Sequence, residues 1–206
     1  MTTSLTAPKP RIAAIVGLLV ASCGCATVMP PSPQVAQDAA AAPSYSGSLR
    51  VSVKGDDVRG RSRVLLAFRR PASVRMEIPG PTGARLLAVA RDDRLTAVFP
   101  AERAVFETTA TAEGLDALIG VALAPDELID MLVGVAPMRL RKYEVRWGDR
   151  LPKRIDATLP DGTRLKARVD DAEIGLVLPA AAFDPPAHAG YRPIDAAEAR
   201  RLLGKR

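Results

Sequence analysis

Residues 64–78, VLLAFRRPASVRMEI, decide the fold because two short apolar repeats lie close together within them. In each repeat every second residue is apolar, and this period of two is typical of strands with one buried face. The residues that carry the period are Val64, Leu66, Phe68, Val74, Met76 and Ile78. The stretch therefore predicts two consecutive strands that pair in the antiparallel direction.

The same period of two continues on both sides of this stretch. Leu49, Val51 and Val53 alternate with polar residues in the preceding strand. Short polar segments rich in Gly, Pro or Asp separate the strands, as hairpin turns require. Asp161-Gly162 joins two late strands and is a strong hairpin signal, because glycine readily adopts a positive φ. The sequence predicts a mainly β chain with a minor helical part, of the α+β class.

Apolar residues change to helical spacing in the middle of the chain. The residues at this spacing are Leu115, Leu118, Ile119, Leu128, Ile129, Leu132 and Val133. Ala124-Pro125-Asp126 has the features of a helix start, with a proline early and an acid in the first turn, and Gly134 is a stop signal. Two short apolar helices are predicted here, and a third over residues 195–203 with its first residue as the N-cap.

The first 22 residues have the layout of a secretory signal. Lys9 and Arg11 lie in a short basic leader, and residues 12–20 form an uncharged apolar run that ends at small residues. A membrane-spanning helix needs roughly 20 apolar residues, so this run is too short to be one. Residues 1–22 are therefore predicted to be a cleaved signal peptide.

Val20-Ala21-Ser22-Cys23 resembles the bacterial lipobox, in which an aliphatic residue and two small residues precede the cysteine that receives diacylglycerol. This match predicts lipidation at Cys23 and attachment to a membrane through the lipid. The alternative is ordinary cleavage after Ser22 or later, with Cys23 incidental. Cys25 is the weaker candidate for lipidation, because Ser22 would then fill the aliphatic position.

The residues after Cys23 predict where the chain resides and how it is organised. Gly24 occupies the position where Asp signals retention at the inner membrane in some bacteria, so we expect the outer membrane. Residues 29–43 are rich in Pro and Ala without an apolar period, which predicts a partly extended tether or plain disorder. The predicted organisation is a signal peptide at 1–22, a lipid anchor and flexible tether at 23–44, and one domain at 45–206.

Charge and composition narrow the classes of partner. The formal net charge is +6 over 206 residues, and aromatic residues make up 4% of the chain. The arginines are spread singly through the strands, whereas a nucleic-acid site is usually a clustered patch. Nucleic acid is therefore not an expected partner. We expect the positive charge to give a mild attraction to anionic lipid head groups instead.

Catalysis and cofactors find little support in the sequence. The only histidine, His188, lies in a proline-rich stretch that is typical of an exposed loop. One histidine supports neither a Ser-His-Asp triad nor a histidine-rich metal site. The acid pairs at residues 56–57, 92–93 and 170–171 fall at predicted turns, where Asp bonds to nearby backbone. We expect no enzyme, no cofactor and no metal site.

Three stretches resemble the LolA/LolB-type lipoprotein carriers and receptors, and in particular the LolB-like branch. They are residues 76–86 (a strand, a GPTG loop and a strand), residues 124–134 (a helix ending in Gly) and residues 151–155 (Leu-Pro before a late strand). The resemblance extends over roughly residues 45–180. It implies an open antiparallel half-barrel whose concave face is lidded by short helices.

The resemblance also implies a function and a set of site residues. The candidate lipid-binding residues are Leu49, Val51, Leu66, Phe68, Met76, Ile78, Leu118 and Leu132. The candidate membrane or cargo loop is Gly80, Pro81, Thr82 and Gly83, in which Thr82 replaces the exposed leucine of the receptor branch. Expected partners are the acyl chains of a lipid or lipoprotein and a periplasmic lipoprotein carrier, on the periplasmic side of the outer membrane. The alternative is a lipid-anchored scaffold whose half-barrel has a filled core and no ligand.

Overall fold

A computed structural model describes residues 30–56 and 58–204. The predicted signal peptide, Cys23 and Cys25 lie outside these residues. The strands are β1 (Ser44–Lys54), β2 (Arg59–Arg69), β3 (Ser73–Gly80), β4 (Gly83–Arg91), β5 (Arg94–Phe99), β6 (Ala104–Thr109), β7 (Lys142–Trp147), β8 (Pro152–Thr158), β9 (Arg164–Ile174) and β10 (Arg192–Pro193). The helices are α1 (Pro33–Ala40), α2 (Ala112–Ile119), α3 (Pro125–Leu132) and α4 (Ala196–Gly204), with a 3-10 turn at Ala180–Phe183.

The ten strands form one sheet in the order β10-β6-β5-β4-β3-β2-β1-β9-β8-β7. All neighbours are antiparallel except β10 and β6, which are parallel. β10 and β7 are the two edges and do not pair with each other, so the sheet stays open. The predicted open, mainly β arrangement is confirmed.

Turn chemistry sets two of the hairpin ends as the sequence predicts, whereas Asp170 and Asp171, which were predicted at a turn, lie within β9. Gly162 has a φ of +90° between β8 and β9, and the Asp161 carboxylate accepts hydrogen bonds from the backbone N–H and the hydroxyl of Thr163. Asp92 and Asp93 both adopt positive φ in the turn between β4 and β5. Asp tolerates such conformations better than most residues do, so Asp92 and Asp93 favour the turn between β4 and β5.

Helices α2 and α3 connect β6 at one side of the sheet to β7 at the far edge, and they cover the concave face. The Thr111 hydroxyl accepts from the Gly114 N–H and begins α2, and Gly120 ends it with a φ of +69°. Pro125 begins α3, where the Glu127 carboxylate accepts from the Ala124 N–H at 2.8 Å. Both helices bury their apolar faces against the strands, and they therefore cover this face of the sheet as predicted.

Helix α1 differs from the predicted extended tether. Residues 33–40 are helical, with Pro33 in the first turn and the Ser32 hydroxyl accepting from the Val35 N–H. Arg70 then holds the C-terminal end of α1 by donating to the carbonyl oxygens of Ala40 and Ala42. The prediction was wrong here because a polar, alanine-rich helix has no apolar period, although Ser followed by Pro is a helix-start signal.

Within the described part of the chain, every helix is too short or too polar to cross a membrane.

Candidate ligand-binding cavity

An apolar cavity of about 280 Å³ lies between the concave face of the sheet and helices α2, α3 and α4. Most of its lining is aliphatic. The apolar lining residues are Leu49, Val51, Val53, Val58, Val64, Leu66, Met76, Ile78, Leu118, Ile119, Val121, Leu128, Met131, Leu132, Leu165, Ala167 and Leu203. A space of this kind offers no hydrogen bonds in its interior, so it suits an aliphatic chain better than a polar ligand.

The volume of the cavity limits what it can hold. An apolar cavity of roughly 150 Å³ holds benzene, and ligand pockets generally begin at about 300 Å³. The cavity of about 280 Å³ therefore has room for part of an acyl chain and not for a whole diacyl lipid. A longer chain would extend out of the mouth or require the helices to shift.

Seven of the eight predicted cavity residues lie in this lining, namely Leu49, Val51, Leu66, Met76, Ile78, Leu118 and Leu132. Phe68 lies outside this lining. Phe68 lies near the end of β2, where its ring stacks on that of Tyr45 with centroids 5.5 Å apart. The two rings fill the space at this end of the sheet, so the cavity stops short of them. Lipid binding by the other seven residues stays a prediction.

The sequence predicted the apolar character of β9 but not its contribution to the cavity, and on α3 it predicted the contribution of Leu132 but not that of Met131. Leu165 and Ala167 line it because β9 pairs with β1, more than a hundred residues earlier in the chain. Met131 lines it because α3 crosses from the β6 side of the sheet to β7. Alternation reveals which side chains share a face of one strand. It does not reveal which strands are neighbours, and that information decides the lining.

Three arginines lie at the mouth of the cavity, and all the charged side chains that line it are basic. Arg59 begins β2, Arg85 lies near the start of β4, and Arg200 lies on α4. The Arg85 guanidinium donates to the Ser62 hydroxyl at 3.2 Å. The Arg200 guanidinium donates to the carbonyl oxygens of Asp116 and Ala117 at the end of α2 and forms an ion pair with the Asp116 carboxylate at 3.2 Å. Basic groups therefore lie at the mouth, one of them paired with Asp116, while the interior is apolar.

The predicted membrane or cargo loop is the turn between β3 and β4. Pro81 and Thr82 are exposed there, between Gly80 at the end of β3 and Gly83 at the start of β4, and Gly83 has a φ of +130°. None of the four lines the cavity. The turn lies beside Arg85, since a Cβ at Gly80 would come within 3.4 Å of the Arg85 Cβ. Its contact with a membrane stays a prediction.

Side chains from β7 hold α3 in place over the sheet. The Tyr143 hydroxyl donates to the Met131 carbonyl at 2.9 Å, and burial raises the pKa of Tyr143 above its usual value. The Trp147 ring lies directly against Gly134, where a methyl group would collide with it. Gly134 also has a φ of +88° at the end of α3. Tyr143 and Trp147 therefore stabilise the lid and do not line the cavity.

His188 is partly buried, not fully exposed as its sequence context suggests. Its Nδ1 lies 2.7 Å from the Pro186 carbonyl oxygen, and its Nε2 lies 3.9 Å from a Glu107 carboxylate oxygen. In residues 30–56 and 58–204, no three His, Cys, Asp or Glu side chains are grouped so as to hold a metal ion. The contacts of His188 fit a structural role in the C-terminal segment.

Comparisons with known proteins give fold matches only. No family model and no curated protein matches the sequence. Among solved structures, the chain is similar to a LolA superfamily protein from Nitrosomonas europaea, with a TM-score of 0.45 and 10% identity over 76% of this chain and 98% of that one. It is similar to an uncharacterized conserved protein from Thermus thermophilus, with a TM-score of 0.42 and 9% identity over 78% and 97%. It is also similar to a domain classed as an outer membrane lipoprotein-sorting protein from Vibrio parahaemolyticus, with a TM-score of 0.38 and 10% identity over 73% and 95%.

Proposed function

We propose that this protein is a lipid-anchored envelope protein whose cavity holds an acyl chain of a lipid or lipoprotein. The observation that carries the proposal is the apolar cavity with Arg59, Arg85 and Arg200 among its lining residues. Burying each methylene of an acyl chain contributes about 0.8 kcal/mol. The guanidinium groups at the mouth would lie beside the phosphate or carboxylate of an anionic head group, with which arginine forms strong hydrogen bonds. The role we assign is binding without catalysis.

The predicted lipid anchor defines where this binding would take place. Lipidation of Cys23 would hold the domain at the outer membrane, facing the periplasm, in the manner of the LolB-like branch. Such a protein would take an acylated cargo from a periplasmic carrier and contribute to lipoprotein localisation. Thr82 makes the β3–β4 turn less apolar than a leucine would, so delivery into the bilayer would depend on other surfaces.

A charge placed inside the cavity tests the proposal. Leu66 is 6% exposed and lines the cavity, whereas its neighbour Leu65 is 37% exposed and lies on the outer face of β2. We expect Leu66→Glu to abolish binding of a fluorescent fatty acid, because a carboxylate facing an acyl chain is desolvated and unpaired. Leu65→Glu is the matched control and should bind like the unmodified protein. Fluorescence titration measures both, with circular dichroism to verify folding.

A second variant keeps the proposal testable if the Leu66→Glu protein fails to fold. Ala167 lines the cavity, and Ala167→Leu would fill part of the space with apolar atoms and introduce no charge. We expect it to fold, to gain thermal stability and to bind the fatty acid at least tenfold more weakly. If both folded variants bind as well as the unmodified protein, or if the unmodified protein binds nothing, the cavity is not a ligand site and the scaffold alternative stands.

A further inference from the structure

The outer face of five neighbouring strands concentrates basic residues that are far apart in the sequence. Strands β2, β1, β9, β8 and β7 lie side by side in this order. Their pairing registers align one arginine from each strand in a single row, which consists of Arg63, Arg50, Arg168, Arg154 and Arg146. All five side chains are exposed. The arginines that look dispersed along the chain are therefore direct neighbours across the sheet.

Two further rows extend this surface on the same face, since residues two apart in a strand point the same way. The second row is Arg61, Ser52, Lys166, Asp156 and Glu144, and the third is Arg59, Lys54, Arg164, Thr158 and Lys142. We call these fifteen positions the basic face. Eleven of them carry Lys or Arg and two carry an acid, so the face is more positive than the whole chain at +6.

Few of these charges are neutralised. Arg50 makes a bidentate pair with Asp170, Lys166 pairs with Asp156 at 3.2 Å, and Lys142 pairs with Glu144 at 2.9 Å. Arg146, Arg154 and Arg168 make no ion pair with any residue in the described ranges. Like charges that lie directly opposite each other on paired strands destabilise a sheet. Asp170 attracts Arg50, Arg63 and Arg168, but Arg154 and Arg146 have no acid paired with them in the described ranges, so the row as a whole keeps a positive charge.

We propose that the basic face binds the surface of an anionic phospholipid bilayer. The face spans five strands about 4.8 Å apart, a breadth of roughly 19 Å, which is too wide for one small anion and suits many head groups in a plane. None of the fifteen positions is aromatic, so the face has no ring on which to stack bases, as single-stranded nucleic acid would require. Arg59 belongs both to this face and to the cavity mouth, so docking brings the mouth close to the membrane.

Vesicle binding by the full-length chain carrying Cys23→Ser tests this proposal without a lipid anchor. Vesicles of phosphatidylcholine alone and of phosphatidylcholine mixed with phosphatidylglycerol would be compared by co-sedimentation at low and high salt. The test variant replaces Arg146, Arg154 and Arg168 with Gln. We expect it to bind the anionic vesicles about a hundredfold more weakly, since each basic residue near an anionic surface strengthens binding about fivefold. Its thermal stability should stay equal or rise, because the substitutions remove like-charge repulsion.

The matched control replaces Arg94, Arg103 and Arg201 with Gln, which removes the same charge from exposed positions outside the basic face. We expect the control to retain most of its binding to anionic vesicles. Equal losses in the two triple variants would overturn the proposal, because net charge alone would then explain binding. Equal binding of the unmodified face to both vesicle types would also overturn it. So would tighter binding to a duplex DNA fragment than to the anionic vesicles at the same salt concentration.

Discussion

Tyr45 illustrates how a single buried polar atom affects this fold. Its ring is 1% exposed and stacks on Phe68, and its hydroxyl has no hydrogen-bond partner in the described part of the chain. The ring also lies so close to Gly47 that a Cβ there would come within 2.7 Å of the Tyr45 oxygen. Burial, with a smaller contribution from the charge of Asp171, raises the pKa of Tyr45 well above its usual value.

We predict that Tyr45→Phe raises the free energy of unfolding by about 1 kcal/mol, because it removes a desolvated hydroxyl and keeps the ring. Tyr143→Phe is the matched control. Its hydroxyl is bonded to the Met131 carbonyl, so its loss should lower stability by about 1 kcal/mol. Urea denaturation measures both changes. Destabilisation by both substitutions would show that the Tyr45 hydroxyl is in fact bonded.

At the scale of the element, α4 depends on a charged contact with the neighbouring edge of the sheet. The Arg192 guanidinium on β10 donates to both carboxylate oxygens of Glu198, at 2.8 and 2.9 Å. The Asp195 carboxylate caps the helix by accepting from the Glu198 N–H, as the sequence predicts. The hydrogen bonds from Arg192 hold the pKa of Glu198 below its usual value. The ion pair therefore adds stability only while Glu198 is ionised.

The lowered pKa of Glu198 sets the sign of a pH dependence. A carboxyl group whose pKa is lower in the folded state stabilises fully above its unfolded pKa, about 4.3, and this contribution is lost as the pH falls through the lowered value. We predict that Glu198→Gln lowers the thermal midpoint at neutral pH but loses less stability on acidification than the unmodified protein. Glu102→Gln is the control, because Glu102 makes no ion pair with a described residue. Parallel acid curves for the unmodified protein and Glu198→Gln would contradict the prediction.

Alternation and capping signals predict some elements of this chain well and others poorly. The strands carrying Leu49, Leu66 and Met76, and the helices begun at Ala112 and Pro125, follow from local patterns that also determine burial. Helix α1 was missed because its anchor is Arg70, which lies some thirty residues further along the chain. Strand β10 was missed because two residues carry no period. Contacts between distant segments fix both elements, and local patterns do not contain them.

At the scale of the whole molecule, strand register brings together on one surface residues that are far apart in the sequence. Arg50 and Arg168 are 118 positions apart in the printed chain, yet they face each other because β1 pairs with β9. The sequence therefore suggested dispersed charge where the folded chain has a concentrated face. The cavity follows the same principle, since its lining joins residues from β1, β2, β9 and three helices. Faces and hairpin neighbours are predictable from sequence, but neighbours that come from distant parts of the chain, such as β1 and β9, are not.

The proposed location at the outer membrane depends on the predicted lipidation of Cys23. We predict that Cys23→Ser abolishes incorporation of a labelled fatty acid in cells and shifts the chain from the membrane fraction, because Cys23 is the cysteine that the lipobox-like sequence predicts to receive diacylglycerol. Cys25→Ser is the matched control and should be labelled like the unmodified protein. Labelling of Cys23→Ser together with loss of labelling in Cys25→Ser would place the modification at Cys25.

The open sheet has one consequence for how copies of this protein meet. An unpaired edge strand exposes backbone donors and acceptors that can recruit the same strand of another molecule. At one edge β10 is only two residues long and ends in Pro193, which has no N–H to donate. At the other edge, β7 places Lys142, Glu144 and Arg146 at alternate exposed positions. Pairing β7 of two copies would set the charges of one copy beside those of the other on the exposed face, and like charges opposite each other destabilise a sheet, so the residues of β7 disfavour association of two molecules through this edge.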